Sequence, residues 1–288
     1  MPIRFIKFHG FGNDYIVIES DELKDLTDWG AFARRICNRH YGAGADGIAV
    51  VGKDTPAQAD FRVRIFNPDG SEAGLSGNGT RCAAAYVHYK KLWSGEELRL
   101  STRSGIKRYF LVRNSEPGKY LFDSELGQPG FASDVIPMVT DQPLEKVIDY
   151  PLSVNGDLLD VTALQMGNPN CCIFVDSFES LDWRGLGKKI ENHKQFPDRT
   201  NVVFICVKDR HTVELRIWER GVGETTASGT CSCAAAVASM VGGKTERSID
   251  VHMVGGTAKI QWREDGEVVI NAPAELVYEG AWLASVVT

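Results

Sequence analysis

SEAGLSGNGTRCAAA (Ser71–Ala85) and GETTASGTCSCAAA (Gly223–Ala236) are two versions of one short text. With Glu72 set on Glu224, an offset of 152 residues in a chain of 288, Ser76 falls on Ser228, Gly77 falls on Gly229, and the alanine runs begin within a residue of each other. Each copy follows an alternating stretch, FRVRIF before the first and VELRIWE before the second, and runs into an alanine-rich segment. Alanine favours a helix and lets it lie close against neighbouring backbone, so each copy reads as a strand, a turn and a central helix. A repeat at about half the chain length with the same element order is most simply a duplicated unit.

Working outward, FIKFHG and DYIVIES read as strands, TDWGAFARRICNRH as an amphipathic helix, DGIAVVG and DFRVRIF as strands, and NPDG as a turn. The helix GNGTRCAAAYVHYKKL is followed by the strands ELRLSTRSG, IKRYFLVRN and GKYLFDSE, and GQPGFASDVIP is the first candidate linker. The second half repeats the order: strands around LDVTALQMG and CCIFVDS, a helix in SLDWRGLGKKIENH, strands NVVFICVK and HTVELRIWE, the helix GTCSCAAAVASMV, then closing strands.

The composition is that of a packed soluble chain, 43% apolar and 24% charged, with a net charge of -6 spread along the sequence. No basic stripe points to nucleic acid, and no polybasic arm or long apolar run points to a membrane, so the expected partner is small and the expected location cytoplasmic. Seven cysteines, an odd and scattered count, read as free, buried thiols. Neither Cys171–Cys172 nor Cys231-x-Cys233 has zinc spacing, so no metal is expected. GAGADG (Gly42–Gly47) fits a dinucleotide fingerprint by letters, but it follows a helix and leads into a strand, the reverse of what a phosphate-binding turn needs.

A Gly-rich helix start offers backbone N–H groups and the positive end of a dipole, which suits a carboxylate. Two such starts facing one ligand would bring Ser76 and Ser228 to opposite sides of a carbon, the geometry of proton removal on one face and return on the other. Capping of the helix is the competing role for each serine. Asparagines gather in the same motifs: Asn13 in GFGND, Asn67 in IFNPDG, Asn168 and Asn170 in QMGNPN, and Asn201 in RTN, with Glu219 and Arg220 in WERG.

In this order HGFGNDYIVIE, GADG, FNPDGSE with SGNGTRC, MGNP, RTNV and WERGVGETTASGT resemble the diaminopimelate epimerase family over essentially the whole chain. The resemblance implies an α/β (α+β) fold of two domains related by a pseudo-two-fold axis, each a curved mixed sheet around a central helix, with substrate in the cleft between them. The expected domains are 1–125 with 276–288, and 126–275. It implies epimerisation of an amino-acid α-carbon by two bases without cofactor, in lysine and peptidoglycan synthesis, and a homodimer to which Tyr278 in VYEG contributes. By position, ligand contacts fall on Asn13, Asn67, Gly77, Asn78, Asn168, Asn201, Glu219, Arg220, Gly229 and Thr230.

Four positions depart from the family pattern. Its two catalytic cysteines fall on Ser76 and Ser228, its histidine two residues beyond the MGN asparagine is Asn170, here a further substrate contact, and its glutamine after GAD is Gly47, which is expected to open space beside the ligand. An alcohol is a much weaker acid than a thiol, whose ordinary pKa is about 8.5, so a serine needs a strong neighbouring base. Glu219 is the candidate. Three outcomes follow: epimerisation through the hydroxyls, the leading expectation; isomerisation with Glu219 as a single acid/base; or amino-acid binding without turnover.

Overall fold

The computed structural model describes residues 2–54 and 58–283. They divide into two compact units, Met1–Ser124 with Ala272–Thr288, and Glu125–Asn271.

In the first unit β1 (Ile3–Gly10) and β2 (Asn13–Glu19) form a hairpin whose turn takes positive φ at Phe11 and Gly12. Helix α1 (Trp29–Ile36) crosses over to β3 (Gly47–Gly52), parallel to β2, and β4 (Phe61–Phe66) returns antiparallel. The short β5 (Glu72–Ala73) leads into α2 (Gly77–Tyr89), after which β6 (Glu97–Thr102) pairs parallel to β4, and β7 (Gly105–Glu116) and β8 (Lys119–Glu125) follow as a meander. GAGADG accordingly precedes a strand and opens no helix.

The second unit starts with a hairpin of β9 (Val147–Val154) and β10 (Asp157–Gln165), and β11 (Pro169–Phe174) pairs antiparallel to β10. Helix α3 (Trp183–Glu191) crosses to β12 (Asn201–Asp209), parallel to β11, and β13 (Thr212–Glu219) returns. Next come β14 (Gly223–Thr225), α4 (Gly229–Val241), β15 (Ser248–Met253) parallel to β13, β16 (Gly256–Trp262) and β17 (Val268–Trp282). From β10 onward the element order of the second unit is that of the first from β1, with β9 an additional leading strand, and each unit is a mixed sheet with its own central helix. The first part of β17 pairs with β16; its later part pairs with β1, and β17 also pairs with β8. The strands of the first unit thus form a ring.

Sheets buried on both faces need apolar residues at successive positions, and β2 and β3 carry them. Val17 and Ala49 face the cluster around α2, while Ile16, Ile18, Ile48 and Val50 join the cluster around α1 with Phe32 and Ile36. Each such side chain contributes roughly 1.5–3 kcal/mol when fully buried. Central helices must be narrow: Cys82, Ala83, Ala84 and Ala85 of α2, and Cys233, Ala234, Ala235 and Ala236 of α4, are wholly buried. The outer helices are the amphipathic ones, capped by Asp28, which accepts from Ala31 N at 2.9 Å, and by Asp182, which accepts from Gly185 N at 3.0 Å.

Sequence periodicity places the central helices and most strands, with three differences. Helix α2 stops at Tyr89, three residues before Leu92, because Lys91 turns to φ 55°. The strand β9 lay unseen within the stretch after the linker, since Pro151 and the positive φ of Asp149 interrupt any alternation there. Gly47 opens no space: a Cβ on it would lie 2.7 Å from Tyr15 Cε1 and 2.9 Å from the Phe66 carbonyl oxygen, so a larger residue has no room. All seven cysteines are free and buried. Among the described residues, no helix is long and apolar enough to cross a membrane and no histidine, cysteine or acidic cluster forms a metal site.

Candidate functional site

In the first unit the turn before α2 is held by Ser76, extended at φ −132° and ψ 121°, whose Oγ accepts from Gly79 N at 3.1 Å. Ser76 is therefore a working N-cap, leaving its hydroxyl hydrogen free to donate. Behind it the Ser76 carbonyl accepts from Thr80 Oγ1 at 2.6 Å, and Thr80 in turn accepts from the buried Tyr109 hydroxyl at 2.7 Å. Gly77 is flanked by open space, with nothing within 4 Å of where a side chain would start.

Asn78, on the first turn of α2, is brought to Asn13 at the start of β2, to whose Oδ1 its amide donates at 3.0 Å. Asn13 passes its own amide hydrogen to Asp46 at 2.9 Å, and Asp46 is paired with Arg39 at 2.7 Å. Arg39 also holds Asp14 at 2.9 Å, and Lys7 reaches Asp14 at 2.7 Å. Burial would raise the Asp14 pKa, but hydrogen bonds from Arg39 and Lys7 outweigh it and bring it down to about 2. Asn67 does not join this group: its amide donates to Ser71 Oγ at 3.0 Å within the NPDG turn.

In the second unit Ser228 stands at the same point before α4, extended at φ −146° and ψ 124°, yet makes no capping bond and is only 8% exposed. Its hydroxyl is a partner of Glu219 at the end of β13 instead. The Glu219 carboxylate accepts from Thr225 Oγ1 at 2.8 Å; burial raises its pKa, and the hydrogen bonds from Thr225 and Ser228 only partly offset that rise. At Gly229 a side chain would start 4.0 Å from Ile270 Cδ1, and Thr230 lies beside the turn at Gly167, its Cγ2 3.8 Å from where a Gly167 side chain would begin. The thiols closest in sequence to these turns are not available as bases, since burial pushes Cys82 up to about 12 and Cys231 well above the ordinary thiol range.

Three asparagines and Arg220 are brought together in a directed chain. Arg220 N donates to Asn201 Oδ1 at 2.9 Å, Asn201 Nδ2 to Asn170 Oδ1 at 3.2 Å, and Asn170 Nδ2 to the Asn168 carbonyl at 2.7 Å and to Asn168 Oδ1 at 3.1 Å. Asn170 is wholly buried with both ends of its amide engaged, so it braces Asn168 and Asn201 rather than offering a group to a ligand. The exposed guanidinium of Arg220 donates to the Asp198 carbonyl at 3.1 Å. Tyr278, expected at an interface, packs on its own unit, donating to the Ala43 carbonyl at 3.0 Å with its ring edge-on to Phe5. Sequence reasoning passed over Thr225, Asp46 and Arg81. All three lie in quoted motifs, but nothing in their letters distinguishes a residue that orients a neighbour from one that fills a turn.

A serine paired with a carboxylate of raised pKa is a proton acceptor in waiting, and a capped serine with a free hydrogen is a donor. Each stands at the start of its central helix, whose N–H groups suit a carboxylate.

The model of the family described as "Diaminopimelate epimerase" matches residues 5–124 and 162–277. A diaminopimelate epimerase of Moorella thermoacetica is 41% identical over 96% of this chain and 98% of its own length, and one of Halothermothrix orenii 38% over 97% and 98%. Among solved structures, a phenazine biosynthesis protein of the PhzF family from Bacillus anthracis aligns over 98% of this chain and 99% of its own, with TM-score 0.68 and 17% identity. A hydroxyproline epimerase from Agrobacterium vitis, with bound trans-4-hydroxy-L-proline, aligns over 98% and 92%, with TM-score 0.63 and 14% identity. At that identity the structural likeness speaks for the fold alone.

Proposed function

Since the chain belongs to the diaminopimelate epimerase family, we propose that it is an isomerase moving a proton at the α-carbon of a small amino acid, without cofactor, with Ser76 and Ser228 at the two proton-transfer positions. The carboxamides of Asn13, Asn78, Asn168 and Asn201, the N–H groups at Gly77, Gly229 and Thr230, and the guanidinium of Arg220 hold the zwitterion. Diaminopimelate is the first substrate to test, with lysine synthesis as the setting and a cytoplasmic homodimer as the working form. The observation that carries this reading is the doubled turn, a serine followed by a glycine at the start of each central helix.

In the two-base version, Glu219 draws the Ser228 proton as the hydroxyl takes the α-proton, Ser76 delivers a proton to the other face, and the cycle closes as Glu219 releases its proton to solvent and the Ser76 alkoxide takes one from it. The bond between the α-carbon and hydrogen breaks as the new one forms, and the electron pair rests on the α-carboxylate facing the helix N–H groups. The raised pKa of Glu219 favours a second version, in which Glu219 alone removes and returns the proton.

The assay is deuterium incorporation from heavy water into a panel of amino acids, meso-diaminopimelate included, with chiral analysis of the product. Exchange with inversion supports the two-serine version. Exchange with retention, abolished in Glu219→Gln and kept in Ser76→Ala, supports the single-base version. Stabilisation by an amino acid with no exchange in any member of the panel overturns the enzymatic reading and leaves a binding protein.

A further inference from the structure

The two carboxamides of the first unit are wired between a group that can only donate and a group that can only accept. Arg81, 2% exposed, donates to the Asn78 side-chain oxygen and, through Nε, to the Pro273 carbonyl at 2.9 Å. A guanidinium has no acceptor, so Asn78 must turn its oxygen inward to Arg81 and its amino group to Asn13. Asn13 must then receive on its oxygen and pass its own amino group to Asp46, whose carboxylate oxygens only accept, from Asn13, the Asp14 N–H and Arg39. Asp46 is fixed in turn by Arg39 and by the Asp14 backbone N–H at 3.1 Å. Each carboxamide thus spends its oxygen and one hydrogen on the chain, and neither makes another hydrogen bond among the described residues. One N–H remains on each, and that of Asn78 belongs to a side chain only 7% exposed.

We propose that Arg81 and Asp46 are positioning residues that lock the polarity of Asn78 and Asn13, so that both amides present hydrogen only and the ligand group they meet is an anionic acceptor, a carboxylate, and never an ammonium. Flipping one amide alone sets oxygen against oxygen or N–H against N–H within the chain, and flipping both does so at its ends. The inference rests on the reading that Asn13 and Asn78 face the bound amino acid, but its test requires no turnover, so a failed isomerase assay does not decide it.

The test is side-chain amide exchange measured by NMR on the full chain. In the wild type each of the two amides should show one slow and one fast hydrogen, and millimolar acetate should shift the fast ones while ethylammonium leaves them in place. Arg81→Met combined with Asp46→Asn, which leaves both ends permissive, should bring the two rates of each amide within about twofold and remove the preference for acetate. Arg81→Lys, still a donor without an acceptor, should keep both. The Asn170 amide of the second unit reports folding, since a merely structural effect would change its exchange as well. A double variant that keeps unequal rates and acetate preference overturns the proposal, as does a wild type that answers to ethylammonium or to neither ion. If the double variant does not fold, the wild-type titration decides alone.

Discussion

Ser76 and Ser228 hold the same place before their helices but are bonded differently, and the difference predicts unequal costs of removal. Ser76→Ala breaks a capping bond to Gly79 N and should cost about 0.5–2 kcal/mol in urea unfolding, whereas Ser228→Ala has no cap to lose but takes a hydrogen-bond donor from the buried Glu219 carboxylate and should cost about 1–3 kcal/mol. Asp14 gives a second expectation. Its pKa falls from 3.8 to about 2 on folding, so its contribution is present above pH 3.8 and is lost as the pH drops through that window. Asp14→Asn should therefore cost on the order of 2 kcal/mol near pH 6, with the gap to wild type closing towards pH 2. Glu219 runs the other way: its pKa is raised, so its neutral form suits the fold, and stability is lost as the pH rises from 4.5 through the folded value. The melting temperature of Glu219→Gln relative to wild type should accordingly climb between pH 4 and pH 7. At this scale the sequence revealed which residues gather but not how they are bonded. The letters of SGNGTRC and ASGTCSC match, and only coordinates separate a capping serine from one turned to a carboxylate.

Helices α2 and α4 are narrow because the strands around them leave room for alanine and little more. Ala84, wholly buried in the cluster that also holds Phe8, Val17 and Ile65, should tolerate no bulk, and Ala84→Leu is expected to cost about 1–3 kcal/mol or more in urea unfolding, with the circular dichroism of the remaining native state unchanged. These elements were readable because alanine runs and alternating strands are strong local signals. The elements that escaped were short or irregular. Two-residue β5 and three-residue β14 carry no period, and β9 is an apolar pattern broken by Pro151. The asparagine turns were legible as chemistry, yet Asn67 closes on Ser71 within its own turn, and Asn170 is consumed as a brace between Asn168 and the distant Asn201, outcomes the motif letters do not announce.

The two units differ in how the chain builds them. Residues 125–271 are one continuous segment with a core of their own around Val161, Ile173, Phe204, Trp183 and Ile190, so this segment made alone should unfold cooperatively in urea. Absence of a transition would show that its core depends on the rest. The other unit is assembled from both ends of the chain, because β17 pairs with β1 and with β8. A ribosome therefore releases the middle segment in a form able to fold while the opening hundred residues still wait for their last strand. Vectorial synthesis here inverts the usual order: what is translated first is completed last, and until then the backbone edges of β1 and β8 are exposed to whatever chaperone or stray strand meets them.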